Sequence, residues 1–125
     1  ASKMEQNNMI TIEYTAITRG SFKEIKATKE IISYQKNRSE QASVKDCSEK
    51  EWGELMVLLK AIDLDLLSKL EAPSKKHQFD GAAIATLIVT VNEKLYQSPS
   101  FDDGNPPKEI ESLVKYILTI AETVE

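Results

Sequence analysis

The chain has 125 residues, of which 41% are apolar and 29% charged, and its formal net charge is −4 at pH 7. This length fits one domain, because two halves would each be too short to bury an adequate core. The acidic balance disfavours DNA, RNA and anionic lipid as partners. Cys47 is the single cysteine, so it cannot form an internal disulfide, and a catalytic thiol would need the only histidine, His77, beside it.

The first eight residues are polar and predict a disordered tail, which is followed by a single domain over 9–125. A start without methionine fits a cloning remnant, and it equally fits a chain trimmed from a precursor whose lipid-bearing cysteine lay upstream of Ala1. We therefore favour a periplasmic or lipid-anchored envelope location slightly over a cytoplasmic one. Membrane contact is expected only through such an anchor, since no apolar run approaches the ~20 residues of a membrane span.

The first third of the domain predicts three antiparallel strands. In "MITIEYTAI" the apolar residues alternate with Thr and Glu, as in a strand with one buried face. The turn "TRGS" contains Gly20, which permits a positive φ. The runs "FKEIKATK" and "EIISYQKN" then predict the second and third strands of a meander. The next segment, "RSEQASVKDC", either extends the third strand or pairs as a short edge strand.

A change of periodicity at Ser48 predicts the first helix. Ser48 stands three residues before Glu51, which is the spacing of a capping box. Apolar residues then recur at intervals of three and four, so we predict an amphipathic helix over about 49–62. A short helical turn is expected around Leu66–Leu70, and Pro73 ends regular structure.

The last third predicts a hairpin and a second helix. In "GAAIATLIVTVNEKLYQS" one face of the first strand is apolar and the other carries Ile84 and Ile88, so we expect a central strand covered on both faces. The turn is "NEK". An apolar stripe from Ile110 to Val124 predicts the helix. The sequence thus predicts an α+β fold of order β-β-β-α-β-β-α, with an antiparallel sheet of about five strands and two helices on one face.

The stretch "SFDDGNPPKEI" raises the question of a calcium loop. Asp102 and Asp103 are adjacent, so their side chains diverge, and no downstream acid completes the spacing of a calcium loop. Local chemistry explains the segment instead. Gly104 permits a turn, Asn105 is a suitable N-cap, and Pro106 fits the first turn of a helix. We therefore predict that the second helix begins here.

Three loop tips are the candidate contact sites for a partner, each with a simpler structural reading beside it. "TRGS" could approach a partner closely or be an ordinary hairpin turn, and "SKKHQFD" could contact a phosphate or an acidic partner or be a solvated loop. Phe101 could anchor a partner or plug the end of the core. The candidate contact residues are Arg19, Gly20, Lys75, Lys76, His77, Phe101, Asp102 and Asp103.

No motif in the chain predicts catalysis. The sequence contains no phosphate-binding P-loop, no dinucleotide fingerprint, no H-E-x-x-H and no G-x-S-x-G. His77 has no neighbouring residue at zinc-ligand spacing. We therefore expect a protein that is not an enzyme and that holds no cofactor and no metal.

The layout resembles the emfourin-type proteins, small bacterial domains that include inhibitors of thermolysin-like metalloproteases. The resemblance rests on "ITIEYTAITRGS", "EWGELMVLLKAIDL", "HQFDGAAIATLIVTV" and "KLYQSPSFDDGNPPKEIESLVKYI" and spans about 9–121. It implies a sheet-and-helix domain and a protease as partner, and it assigns no inhibitory residue. The chain is also similar to small flavobacterial-type envelope proteins, a likeness that implies no activity.

Two functions follow from these patterns as expectations. The first is a non-enzymatic binding domain of the bacterial envelope, such as a protease inhibitor or accessory factor, acting as a monomer on a protein partner. The alternative is a small-molecule carrier with an apolar cavity between the sheet and the helices, which would need ~300 Å³ or more.

Overall fold

The computed structural model describes residues 9–17, 22–36, 41–70, 83–103 and 105–124. Seven strands form in these residues: β1 Ile10–Ile17, β2 Phe22–Ala27, β3 Ile31–Gln35, β4 Ser43–Asp46, β5 Ile84–Val91, β6 Lys94–Gln97 and β7 Phe101–Asp102. The two α-helices are α1 Glu49–Lys60 and α2 Glu111–Ala121, and short 3₁₀ helices lie at Leu64–Lys69 and Lys108–Ile110.

All strands join one antiparallel sheet of order β4-β3-β2-β1-β5-β6, with β7 paired to one end of β5. The predicted α+β class and antiparallel sheet are confirmed. The expected number of about five strands was too low. The segment after β3, which the sequence left ambiguous, forms the short edge strand β4. Strand β7 has only two residues, which are too few to show a periodic pattern in the sequence.

The sheet buries one face against the helices, which we call the closed face. Alternate residues of β1 and β5 lie on it, and they form a single apolar cluster with the buried stripes of α1 and α2. The other face, which we call the open face, carries the intervening side chains. The expectation that β5 is covered on both faces was wrong, because Ile84 is 43% exposed and Ile88 is only half-buried.

Both helix stripes face the sheet, as their spacing predicts. Ile110, Leu113, Val114, Ile117, Ile120, Ala121 and Val124 are all buried. In α1, Leu55 and Leu59 are fully buried, while Trp52 and Met56 pack against the edge of the core. The α1 capping box is present, since the Glu51 N–H donates to Ser48 Oγ (3.0 Å) and the Ser48 N–H donates to Glu51 Oε1 (3.1 Å).

The β5–β6 hairpin turns through two residues with positive φ. Asn92 has φ 49° and Glu93 has φ 76°, and Val91 and Lys94 are paired on either side. This left-handed pair matches the twist of the flanking strands. Asn92 Oδ1 also accepts from the Met9 N–H (2.9 Å), which ties the start of β1 to the turn.

The predicted start of the second helix was too early. Asn105 pairs with Asp102 in an isolated β-bridge and does not cap a helix. The chain enters α2 through the 3₁₀ turn Lys108–Ile110, whose N-cap Pro107 makes no side-chain cap bond. Pro106 and Pro107 are both buried, so packing at the end of the sheet decides this segment.

Candidate functional site

Five of the eight predicted contact residues lie outside the described part of the chain: Arg19, Gly20, Lys75, Lys76 and His77. The other three, Phe101, Asp102 and Asp103, lie in and just after β7, at one end of the sheet.

Phe101 fills the core and is not available as a surface anchor. Its side chain is fully buried on the closed face, opposite Ala85 of β5. Its ring centroid lies 6.0 Å from that of Tyr14, with the ring planes inclined by 50°. Of the two roles that the sequence left open for Phe101, the structure supports packing at the end of the core.

Asp103 joins two strands through a short polar network. Tyr14, fully buried in β1, donates its hydroxyl hydrogen to Asp103 Oδ1 at 2.6 Å. Lys23 Nζ, from β2, lies 3.2 Å from Asp103 Oδ2. The Asp103 N–H also donates to the carbonyl of Ala83 (3.0 Å), so both its side chain and its backbone are engaged. The adjacent Asp102 is buried and is paired with Ile84.

This arrangement makes the acidic pair part of the scaffold. The carboxylate of Asp103 satisfies a buried phenol and a lysine at once, which fixes the β7 turn against β1 and β2. The residues that the sequence singled out as a docking tip are therefore the ones that hold this end of the sheet together.

The open face is the exposed feature that sequence reasoning missed. The strand register places Ile17, Ile31, Val44, Ile84 and Leu95 on it, and these side chains are between 38% and 59% exposed. Among the described residues they are the exposed large apolar side chains of the sheet. The signal was present in the sequence, because Ile84 and Ile88 already stood on the second face of β5. We misread them as evidence of a second covering layer.

Charge is distributed unevenly over the open face. Strands β5 and β6 place Ile84, Thr86, Ile88, Thr90, Leu95 and Gln97 there, none of which is charged. The exposed charged side chains Glu13, Glu24, Lys26 and Asp46 lie on β1, β2 and β4, and Asp102, which is buried, lies on β7 beside Ile84. Glu13 and Lys26 form an ion pair at 3.8 Å. Because Asp102 is already buried, a partner can cover the β5–β6 half of the open face without removing a further charge from water.

A second polar cluster surrounds Cys47 at the start of α1. Lys45 Nζ lies 2.7 Å from Glu51 Oε2. Burial alone would raise the pKa of Glu51, but hydrogen bonds from Lys45 and Ser48 outweigh it and lower this pKa. Burial raises the pKa of the Cys47 thiol, and the Glu51 charge raises it further. Burial, with Glu51, Glu54 and Cys47 nearby, also raises the pKa of Tyr116.

These shifts disfavour a reactive thiol at Cys47. A nucleophilic cysteine needs a lowered pKa so that the thiolate is populated near neutral pH. Here the neighbouring cation Lys45 is already paired with Glu51, whose charge acts against the thiolate. The cluster is best explained as the start of a capped helix.

Two further findings concern the described residues only. Within the described ranges, no group of three or more His, Cys, Asp or Glu side chains is arranged to hold a metal ion. In that same part of the chain, neither helix has the length and apolar character needed to cross a membrane.

No family model, curated protein or solved structure matches this chain. The resemblance to emfourin-type domains accordingly stays a prediction from the sequence, and function must be argued from the geometry of the two faces.

Proposed function

We propose that this chain is a non-enzymatic protein-binding domain that recognises its partner through the open face of its sheet. The observation that carries the proposal is the concentration of exposed apolar side chains on that one face, next to an uncharged region on β5 and β6. Along β5, the uncharged residues Thr86, Ile88 and Thr90 connect Ile17 and Ile84 at one end of the face to Leu95 at the other. An exposed surface of apolar and uncharged side chains is suited to protein interaction.

The polar clusters support a binding function over a catalytic one. Asp103 is held by Tyr14 and Lys23, and Glu51 is held by Lys45 and the capping box. The pKa of Cys47 is raised, which opposes nucleophilic chemistry at neutral pH. Each of these groups already has a structural role, so the open face remains the better candidate for recognition.

The carrier alternative would place its ligand between the sheet and the helices. Tyr14, Leu87 and Ile117 lie in that layer and are buried within one continuous apolar cluster. A packed layer of large side chains favours a structural core there. The carrier hypothesis stays a prediction, and the open face is the site we propose.

A capture experiment with matched variants tests the binding surface. Wild-type protein, Leu95→Lys and Val57→Lys are immobilised and exposed to an envelope extract of the source cell, and bound proteins are quantified by mass spectrometry. Leu95 is on the open face and Val57 is on α1, and they are 59% and 65% exposed. We expect partners to be retained by wild type and Val57→Lys and lost by Leu95→Lys. Equal retention by all three would exclude the open face as the binding surface.

The envelope location and the protease-inhibitor role are narrower parts of the same proposal. Adding the purified domain to a thermolysin-like protease should slow peptide hydrolysis in proportion to dose. An unchanged rate at micromolar concentrations would remove the inhibitor role and leave the binding proposal to the capture experiment.

A further inference from the structure

We infer that the open face binds a second copy of this chain, with the two sheets packed face to face about a two-fold axis that runs between β1 and β5, parallel to the strands. This inference rests on the proposed function, since it assigns a partner to the same face. The sequence alone led us to expect a monomer. The distribution of residue types across β1 and β5 is what favours self-association.

The two central strands carry matching residues on the open face. Their register pairs Ile17 with Ile84, Thr15 with Thr86, Glu13 with Ile88 and Thr11 with Thr90. In three of these four pairs the two residues are identical. The two central rows of the open face are therefore nearly alike, whereas the outer strands β2 and β6 differ in charge.

A two-fold axis along that line places like residues on like residues. Rotation about this axis exchanges the positions of β1 and β5 but leaves each residue's position along the strand direction unchanged. Each residue of β1 therefore faces, in the other copy, the β5 residue with which it pairs in its own sheet. Ile17 then packs on Ile84 of the second copy, and Thr15 and Thr11 pack on Thr86 and Thr90. A closed two-fold contact needs a surface that is complementary to itself, and this pattern supplies one.

The charged residues mostly fall at the rim of such a contact. Glu24 and Lys26 lie on β2, which faces the open-face side chains of β6 in the other copy, Leu95 and Gln97. Asp102, buried in β7 beside Ile84, lies on the opposite side of β5 from β1. Interfaces commonly place charged residues at the rim and few at the centre. Glu13 is the exception, because it meets Ile88 near the centre. It is paired with Lys26 at 3.8 Å, and its side chain is 29% exposed.

The area of the contact predicts weak association. The four strands β2, β1, β5 and β6 span roughly 20 Å across, and their lengths range from about 13 Å for β6 to about 26 Å for β1 and β5, so each copy offers on the order of 400 Å². Stable complexes bury about 800 Å² per partner. We therefore expect a dimer with a dissociation constant of about 10–100 µM, populated at high local concentration.

Sedimentation equilibrium over a concentration series measures this dimer directly. Wild type should pass from monomer to dimer across the micromolar range, and Val57→Lys, altered on α1, should do the same. Thr15→Lys and Thr86→Glu should each weaken the dimer at least about tenfold, because each places an unpaired charge between the two central rows of the contact. Thermal unfolding monitored by circular dichroism verifies that each variant is folded. We expect both variants to fold, because Thr15 and Thr86 are only half-buried.

Mixing the two charged variants tests the placement of the axis. The introduced lysine and the introduced glutamate would face each other across the proposed contact only in the mixed dimer. An equimolar mixture of Thr15→Lys and Thr86→Glu should therefore recover most of the lost affinity. A mixture as weak as the separate variants would overturn the proposed packing.

Glu13→Thr should act in the opposite direction. It removes the charge near the centre of the contact and completes a row of uncharged residues, while Lys26, whose side chain is 51% exposed, stays solvated. We expect the dimer to tighten about fivefold. A weaker or unchanged dimer in this variant would contradict the inferred contact.

A wild-type protein that stays monomeric up to about 1 mM, well above the range expected for this contact area, would overturn self-association outright. The capture experiment with Leu95→Lys would still decide whether the open face binds another protein, so the failure of the dimer and the failure of the proposed function are separate results.

Discussion

Leu87 and Ile88 are neighbours in β5, yet they belong to the two opposite faces of one sheet. Leu87 points into the closed face and is fully buried against the helix layer, whereas Ile88 points to the open face and is half-buried. The closed face therefore accounts for most of the stability of this fold. The open face contributes less to stability and is available for recognition.

The largest expected difference between the faces concerns apolar truncation. Leu87→Ala leaves a cavity in the packed core and should lower the free energy of unfolding by about 2–5 kcal/mol. Ile84→Ala removes a side chain that is 43% exposed, so it should cost under about 1 kcal/mol. Urea denaturation monitored by circular dichroism measures both. Similar losses at the two positions would show that the open face is covered in solution.

The next effect concerns the polar network at the end of the closed face. Tyr14→Phe removes the hydroxyl that donates to Asp103, so we expect a loss of about 1–2 kcal/mol in the free energy of unfolding. Tyr96→Phe, at a half-buried position in β6, is the matched control and should change stability by under about 0.5 kcal/mol. If both variants behave alike in urea denaturation, the Tyr14–Asp103 bond does not hold β7 to β1.

A smaller effect is expected at the start of α1. Ser48→Ala removes the side chain that accepts from the Glu51 N–H and should cost about 1 kcal/mol. Ser112→Ala, at an exposed position in α2, should be neutral or slightly stabilising because alanine favours helices. The difference in melting temperature between the two variants measures how much the Ser48 N-cap stabilises the fold. A Ser48→Ala protein as stable as wild type would contradict its role.

The smallest effect is a pH dependence carried by Glu51. The pKa of Glu51 is lowered in the folded state, so its contribution is complete above the unfolded pKa and is lost as pH falls through the folded one. Glu51→Gln should therefore flatten the stability profile below about pH 4.5, by under about 1 kcal/mol, because the pair with Lys45 lies near the surface. Melting temperatures of both proteins, measured from acid to neutral pH, test this. Parallel profiles would show that another group carries the acid sensitivity.

Local patterns predicted the elements where they were long and periodic. The alternation in β1, the capping box at Ser48 and the stripe of α2 each specify their structure through contacts a few residues apart. The predicted start of α2 was wrong, because contacts a few residues apart do not determine it. Buried Pro106 and Pro107 join a bridge and a 3₁₀ turn at the end of the sheet, which is a packing outcome that no local signal encodes.

The candidate site could be predicted only in part. Phe101 and Asp103 were singled out because they lie at a predicted loop tip, where an aromatic side chain can anchor a partner, but the fold turns both inward toward Tyr14. Conversely, Ile17 and Ile84 are far apart in the chain, and only strand pairing makes them neighbours on an exposed face.

By itself, the sequence determined that this protein is a single acidic α+β domain with an antiparallel sheet and two striped helices, because periodicity and capping act over a few residues. Only the tertiary structure decided which face the helices cover and which face stays open, because that choice depends on pairing between strands far apart in the chain. The matching rows of β1 and β5, on which the inferred self-association depends, exist only in that paired register.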